Sequence, residues 1–192
     1  KELLKGAEYL LVHCGRMSPE KEPARSVQAV SELVKAGVNV RLIIVGGGPL
    51  WNKIRKQSLG LPIEMLGYVA SREKVAGYLA AADIAIAPGP LETFCLSALE
   101  SLASGTPVVA SKSSAVGEIL NINSIRPAGA VASDNGADFA IAITQLLNKG
   151  RLRKVAREQA EKFSWANTVD AMLDVHGAKQ PMVTTKRRLK VA

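Results

Sequence analysis

Cysteine is scarce. The 192 residues hold two, Cys14 and Cys95. That is too few for a disulfide framework and points to an intracellular, cytoplasmic setting. Histidine is equally scarce, with His13 and His176. Neither has a partner at ligand spacing, so no metal site is expected. His13 lies in an apolar run and reads as a satisfied core residue; His176 lies near a helix end, where a cation suits the dipole. Aromatic residues make up 4 %. With so little to stack on bases, the net charge of +8 does not signal a nucleic-acid binder. No apolar run approaches the roughly 20 residues needed to span a bilayer. The opening Lys1-Glu2-Leu3-Leu4-Lys5 has no signal-peptide shape and no initiator Met, which suits a piece of a longer chain. There is no G-x-x-x-x-G-K-S/T phosphate loop and no G-x-S-x-G elbow. Gly46-Gly47-Gly48-Pro49-Leu50-Trp51 fails G-x-G-x-x-G because Trp51 takes the last glycine's place.

What is present is an ordinary soluble composition, 47 % apolar and 22 % charged, in about one domain's length. The basic excess is uneven. Lys179, Lys186, Arg187, Arg188 and Lys190 crowd the last segment, and without them 20 basic residues face 17 acidic ones. A second cluster, Lys149, Arg151, Arg153, Lys154 and Arg157, reads as a solvated face.

Short apolar runs alternate with helical stretches along the whole chain. Strands are expected at 9–14, 38–45, 63–66, 84–87, 107–110 and, weakly, 129–132. Helices are expected at 24–36, 50–59, from a Ser71 cap to about 81, 93–104, 115–120, 137–147, 151–162, and from a Ser164 cap to about 176. Gly37 and Gly105 stand where helices commonly end. Strict alternation of this kind predicts an α/β fold: a Rossmann-like parallel sheet with helices on both faces. Ligands of such sheets bind outside the carboxyl ends of the strands. The loops after Cys14, Val45, Leu66, Ala87 and Ala110 are therefore the places to look.

The loop after Ala87 is the richest in chemistry, running Pro88-Gly89-Pro90-Leu91-Glu92-Thr93-Phe94-Cys95-Leu96-Ser97-Ala98-Leu99-Glu100. With Thr93 as cap, the amides of Phe94 to Leu96 would offer an anion site. Glu100 would then lie about 9 Å along the helix, near the reach from a diphosphate to the far side of a ribose. A carboxylate can accept hydrogen bonds from two vicinal hydroxyls. The plainer reading stands beside it: Glu92 suits any helix N-terminus, and Glu100 joins Ser97, Ser101 and Ser104 on a polar face.

The Glu92-to-Glu100 unit resembles the signature of the retaining glycosyltransferases of family 4, which have the GT-B architecture. So do Gly15-Arg16-Met17-Ser18-Pro19-Glu20-Lys21, Leu42 to Pro49, Leu66-Gly67-Tyr68-Val69, Ala81-Ala82-Asp83-Ile84 to Pro88, Gly105-Thr106-Pro107-Val108-Val109 and Phe163-Ser164-Trp165. They occur in the family's order from Gly15 to about His176. The resemblance implies a donor site for a nucleotide sugar. Arg16 and Lys21 would neutralise the diphosphate, joined by the amides of Phe94, Cys95 and Leu96. Glu100 would hold the ribose hydroxyls and Glu92 would orient the transferred sugar. Val69, and with it Ser71 and Lys74, fall where the family places the base; as turn, cap and surface lysine they would serve equally well.

The resemblance also implies a transferase that needs no metal and no further cofactor. Residues 1–177 would be the donor-binding domain and 178–192 a basic tail. An N-terminal acceptor domain would be absent, so the chain alone would bind nucleotide weakly without transferring sugar. Pro88 to Phe94 further resembles the GDP-mannose-dependent mannosyltransferases that build bacterial glycolipids. That implies a lipid or glycan acceptor, an α linkage, and work at the inner face of the membrane, where the tail would touch anionic lipid or simply hang free. Two departures stand out: Cys95 replaces the family's usual Gly, and Ser113-Ser114 precede Glu118 where the family has a glycine pair. A non-catalytic nucleotide or phospho-ligand binding module is the competing class, and Glu92 separates the two, since pure nucleotide binding has no use for it.

Overall fold

A computed structural model describes residues 2–150 and 152–177; the basic tail expected at 178–192, and Arg151 of the basic cluster, lie outside the described residues. Six strands, β1 (Tyr9–Cys14), β2 (Val40–Val45), β3 (Ile63–Gly67), β4 (Ile84–Ala87), β5 (Val108–Ser111) and β6 (Gly129–Ala132), form one sheet. Its order is β3-β2-β1-β4-β5-β6, and every pairing is parallel. The four inner strands read as continuous Val, Ile, Leu and Ala runs because both their faces are covered. This confirms the Rossmann-like expectation.

Residues of β1, β2, β4 and β5, among them Leu11, Leu42, Ile44, Ile86 and Val109, meet α1 (Pro23–Lys35), α2 (Trp51–Gln57) and α6 (Gly136–Asn148) on one face. Phe139 of α6 is wholly buried there, which stabilises the fold by about 2–3 kcal/mol. The opposite face carries α3 (Arg72–Ala81), α4 (Leu96–Ala103), α5 (Val116–Ile119) and α7 (Arg153–Glu161). Ser71 caps α3 as expected, its hydroxyl accepting the Lys74 amide at 3.1 Å. The chain divides into a unit ending at Glu161 and a second beginning at Lys162. In the second, Ser164 caps α8 (Trp165–Val175) by accepting the Asn167 amide at 3.2 Å.

Two expectations need correction. Helix α4 begins at Leu96, not Thr93, and Thr93 does not cap it. Cys95 adopts φ 62° and ψ 79°, a left-handed turn that interrupts any helix running in from Thr93. The second basic cluster is not simply solvated. Arg153 donates to the carbonyls of Ala80 and Ala82 at 2.7 and 3.1 Å, and Arg157 donates to that of Ala103 at 2.6 Å. Both satisfy carbonyls that α3 and α4 leave open at their C-termini.

Strand order fixes where a ligand can enter. The chain lays β2 and β3 on one side of β1, then crosses to lay β4 on the other. The loops leaving β1 and β4 therefore diverge, and the crevice between them lies at the carboxyl edge.

Candidate functional site

Three loops are stitched together at that edge by backbone hydrogen bonds. Gly15 donates to Val45, Met17 to Gly47, Gly46 to Gly67, and Leu50 back to Met17, all at 2.8–3.0 Å. The glycine run earns its place by closeness rather than by holding phosphate. A β-carbon on Gly46, at φ +128°, would lie 2.0 Å from the Gly15 carbonyl oxygen. The loop after β1 then makes a 3-10 turn, Pro19–Lys21, and passes directly into α1.

Across the crevice stands the loop after β4. Lys21 Nζ meets Glu92 Oε1 at 2.6 Å, with the carboxylate the more deeply sunk of the two. The two loops fit closely because residue 89 has no side chain: a β-carbon there would stand 2.9 Å from the Glu20 carbonyl oxygen and 3.3 Å from Glu92 Oε1. The Glu92 loop is held at three points. Its own carbonyl accepts the Ala115 amide at 2.9 Å, its side chain meets Lys21, and Arg25 Nη1 donates to the carbonyl of Pro88. Arg25 is buried and also meets Asp134 at 3.1 Å, with its guanidinium 5.9 Å from the centre of the Phe139 ring. Asp134 in turn accepts the hydroxyls of Ser111 and Ser113. Burial pushes the Asp134 carboxyl up, but the two serines and Arg25 outweigh it and hold the group below the usual carboxylate range.

Beneath the Lys21–Glu92 pair lies a cavity of about 40 Å³. His13 and Cys14 from β1, Ile86 and Ala87 from β4, and Cys95 and Ser97 at the start of α4 line its floor and walls. Burial, with the nearby Lys21 charge, lowers the His13 pKa to about 4, so the ring is neutral at neutral pH. Burial raises the Cys14 thiol to about 11, helped by the negative charge of Glu100 and by Cys95. Burial raises Cys95 as well. Neither thiol is a nucleophile at neutral pH.

The expected site residues distribute as follows. Lys21 and Glu92 are in contact, and Cys95 lines the same cavity. Its side chain is buried and its Sγ shares a hydrogen bond with Ser97 Oγ at 3.4 Å. The backbone explains why glycine suits this position: φ is positive. Leu96, exposed, opens α4, and Ser97 in its first turn lines the cavity. Phe94 precedes the helix instead of sitting in its first turn. With α4 starting at Leu96, Glu100 lies about 6 Å along it rather than 9 Å. It is exposed on the helix flank, and its charge is felt at Cys14. Arg16 is exposed on the β1 loop, Val69 half-buried after β3, and Lys74 exposed on α3; none of these three lines the cavity. Among the described residues no three His, Cys, Asp or Glu side chains gather as a metal centre would require, and no helix is long and apolar enough to cross a membrane.

Sequence reasoning missed Arg25 and Asp134. Their partners lie far away in the chain, and an arginine early in a helix carries no local signal of what it reaches. His13, read as a satisfied core residue, is buried and bonded to Ser26, and it also lines the cavity.

Comparison with known proteins bears on the family and the fold. The family model for glycosyl transferases group 1 matches residues 1–163. A GDP-mannose-dependent alpha-(1-6)-phosphatidylinositol dimannoside mannosyltransferase of Mycobacterium tuberculosis is 45 % identical over 173 residues, covering 89 % of this chain and 44 % of the relative. The chain thus spans less than half the length of that relative. The catalytic domain of cholesterol-alpha-glucosyltransferase from Helicobacter pylori superposes with a TM-score of 0.68 at 22 % identity, covering 81 % of this chain and 99 % of that one. TarM superposes with a TM-score of 0.75 at 25 % identity, covering 88 % and 35 %. At these identities the superpositions speak to the fold.

Proposed function

The chain belongs to the group 1 glycosyl transferases, and from that premise we propose that it is the nucleotide-sugar-binding half of a retaining enzyme. That enzyme moves a hexose, mannose from GDP-mannose, to a lipid or glycan acceptor through an α linkage. The mycobacterial relative's name motivates the choice of donor. The observation that carries the reading is the meeting of Lys21 and Glu92 at 2.6 Å across the β1/β4 crevice, beside the start of α4.

These two charges neutralise each other in the structure. An entering diphosphate competes for Lys21 and is met by Arg16 and by the first-turn amides of α4. Glu92, released from Lys21, is then free to accept hydrogen bonds from the hydroxyls of the sugar. When the bond between the anomeric carbon and the phosphate oxygen breaks, its electron pair goes to the diphosphate. In this reading Lys21, Arg16 and the helix tip stabilise the charge that grows there. These cations supply the charge balance, so the reading calls for no metal cofactor. Glu100, one turn along α4, takes the ribose hydroxyls, and Val69, Ser71 and Lys74 border the base. The acceptor belongs to chain beyond these residues, as does any contact with a membrane.

Calorimetric titration with GDP, UDP, GDP-mannose and UDP-glucose tests this. One nucleotide should bind saturably, and Glu100→Ala should weaken it roughly tenfold through loss of the ribose hydrogen bonds. Absence of saturable binding of all four by the complete protein that carries this chain overturns the reading.

A further inference from the structure

His13 is 2 % exposed and sits in an apolar strand, yet it is not a closed core residue. Its ring is fixed on one side, with Nδ1 2.9 Å from the hydroxyl of Ser26, itself wholly buried on α1. The other nitrogen, Nε2, has no hydrogen-bond partner among the described residues. Nor is it sealed off: the orphaned buried side-chain atoms among those residues are Arg41 Nε and Ser124 Oγ. Nε2 therefore opens onto space, and the space His13 borders is the cavity beneath Lys21 and Glu92. The ring abuts the start of the β1 loop, with Nε2 3.8 Å from where a Gly15 β-carbon would stand.

We infer that His13 is a further donor-site residue, whose Nε2–H donates a hydrogen bond to an oxygen of the nucleotide sugar's diphosphate. The inference rests on the donor-site reading above and adds a residue to it. Three features select a diphosphate oxygen over a sugar hydroxyl. Of the two paired charges that border the cavity, it is the Lys21 ammonium whose field reaches the His13 ring and disfavours its protonation. An anionic oxygen between them satisfies both groups at once. Ser97, in the first turn of α4, lines the same cavity, and a helix N-terminus favours negative charge beside it. In the tautomer this role requires, Nδ1 accepts from the Ser26 hydroxyl and the neutral ring presents Nε2–H, a donor that adds no second positive charge beside Lys21. The apolar walls of Ile86 and Ala87 strengthen such a bond by excluding water.

Two substitutions separate this role from packing. In His13→Asn the amide can keep the Ser26 bond but cannot reach the cavity. In His13→Gln the longer side chain puts an N–H near the place of Nε2. Titration of the complete protein with GDP and UDP should show His13→Asn binding the preferred nucleotide roughly tenfold more weakly at an unchanged melting temperature, and His13→Gln recovering most of the loss. In the wild type, the imidazole ¹⁵N resonance of Nε2 should move on nucleotide addition while that of Nδ1 holds; this needs no variant to fold. Unchanged nucleotide affinity in a folded His13→Asn, or an Nε2 resonance indifferent to bound nucleotide, overturns the role of His13 and leaves the donor site standing. A wild-type protein that binds neither GDP nor UDP overturns both.

Discussion

The two ends of the sheet are built to different standards. At the amino end, polar side chains fasten the backbone. Asp83 accepts the amide of Leu10 at 2.8 Å while its own amide reaches the Leu10 carbonyl at 2.7 Å, locking β4 to β1 before either strand begins to pair. Thr106, wholly buried, donates to the Leu79 carbonyl at 2.6 Å. Arg153 and Arg157 close the ends of α3 and α4. At the carboxyl end, charges neutralise each other across a crevice, a buried imidazole keeps one nitrogen open, and Cys95 holds a backbone conformation few side chains adopt. Loose ends of this kind are kept where a ligand completes them. The contrast also sorts the family-like motifs. The Asp of Ala81-Ala82-Asp83 and the Thr of Gly105-Thr106-Pro107 fasten the sheet, while the Lys of Glu20-Lys21 and the Glu of Glu92-Thr93 face the site.

Acid should expose the carboxyl end first. The unfolded chain protonates His13 near pH 6.5, whereas the folded chain resists until about 4. The stability this represents is whole above pH 6.5 and drains away as pH falls toward 4, below which native His13 charges too. The window amounts to about 3 kcal/mol. Urea unfolding of the wild type from pH 7 to pH 4 should lose that much more than His13→Asn does. The carboxylates of Glu20, Glu64 and Asp134 do not blur the result. Ser18 lowers Glu20, Arg41 lowers Glu64, and the serines and Arg25 lower Asp134, so their contributions also begin to drain as pH approaches 4, but wild type and variant share these losses and the difference between the two proteins cancels them. Equal slopes in the two proteins would show that His13 is not held neutral by burial.

One substitution at each end should give opposite readouts. Glu92→Ala should cut sugar transfer by the complete protein about a hundredfold, since a misplaced reacting group costs that much. It should move unfolding free energy by less than about 1 kcal/mol, because its partner Lys21 remains partly open to solvent. Thr106→Val keeps the shape but removes the buried hydroxyl's bond to the Leu79 and Ala82 carbonyls, which keep the Ala82 amide and Arg153 as donors, at a cost of about 1 kcal/mol in stability. Nucleotide affinity should not change. If Thr106→Val weakened nucleotide binding or Glu92→Ala unfolded the protein, the division between the two ends would collapse.

Much of the sheet was legible because each strand is a compact apolar run between breakers. Tyr9–Cys14, Ile84–Ala87 and Gly129–Ala132 lie where the pattern put them. Strand order was not legible, because parallel strands leave no local trace of their neighbours. The failure at α4 has a specific cause: Thr93-Phe94-Cys95 looks like a helical start with a cap, and nothing local announces that Cys95 turns left-handed. Lys21 and Glu92 could be named but not brought together, since their contact depends on the crossing from β3 to β4. Arg25 and the open nitrogen of His13 lay beyond reach for a similar reason: what matters about each is a partner, or the lack of one, set by the fold.

The smallest effect worth measuring concerns that left-handed turn. Cys95 combines two opposing terms, a strained backbone at φ 62° and a buried side chain that fills space beside Ser97. Cys95→Ala removes most of the side chain and keeps the strain; Cys95→Gly removes both. The difference between the two variants isolates the backbone, since the single methyl that separates them counts for little beside it. A non-glycine residue in this region costs about 1–2 kcal/mol, partly offset by glycine's greater freedom when unfolded. Chemical denaturation should therefore find Cys95→Gly about 1 kcal/mol more stable than Cys95→Ala, with both binding nucleotide as the wild type does. An alanine variant as stable as the glycine one would mean that the turn is not strained, and the thiol's packing alone would have to account for cysteine at this position.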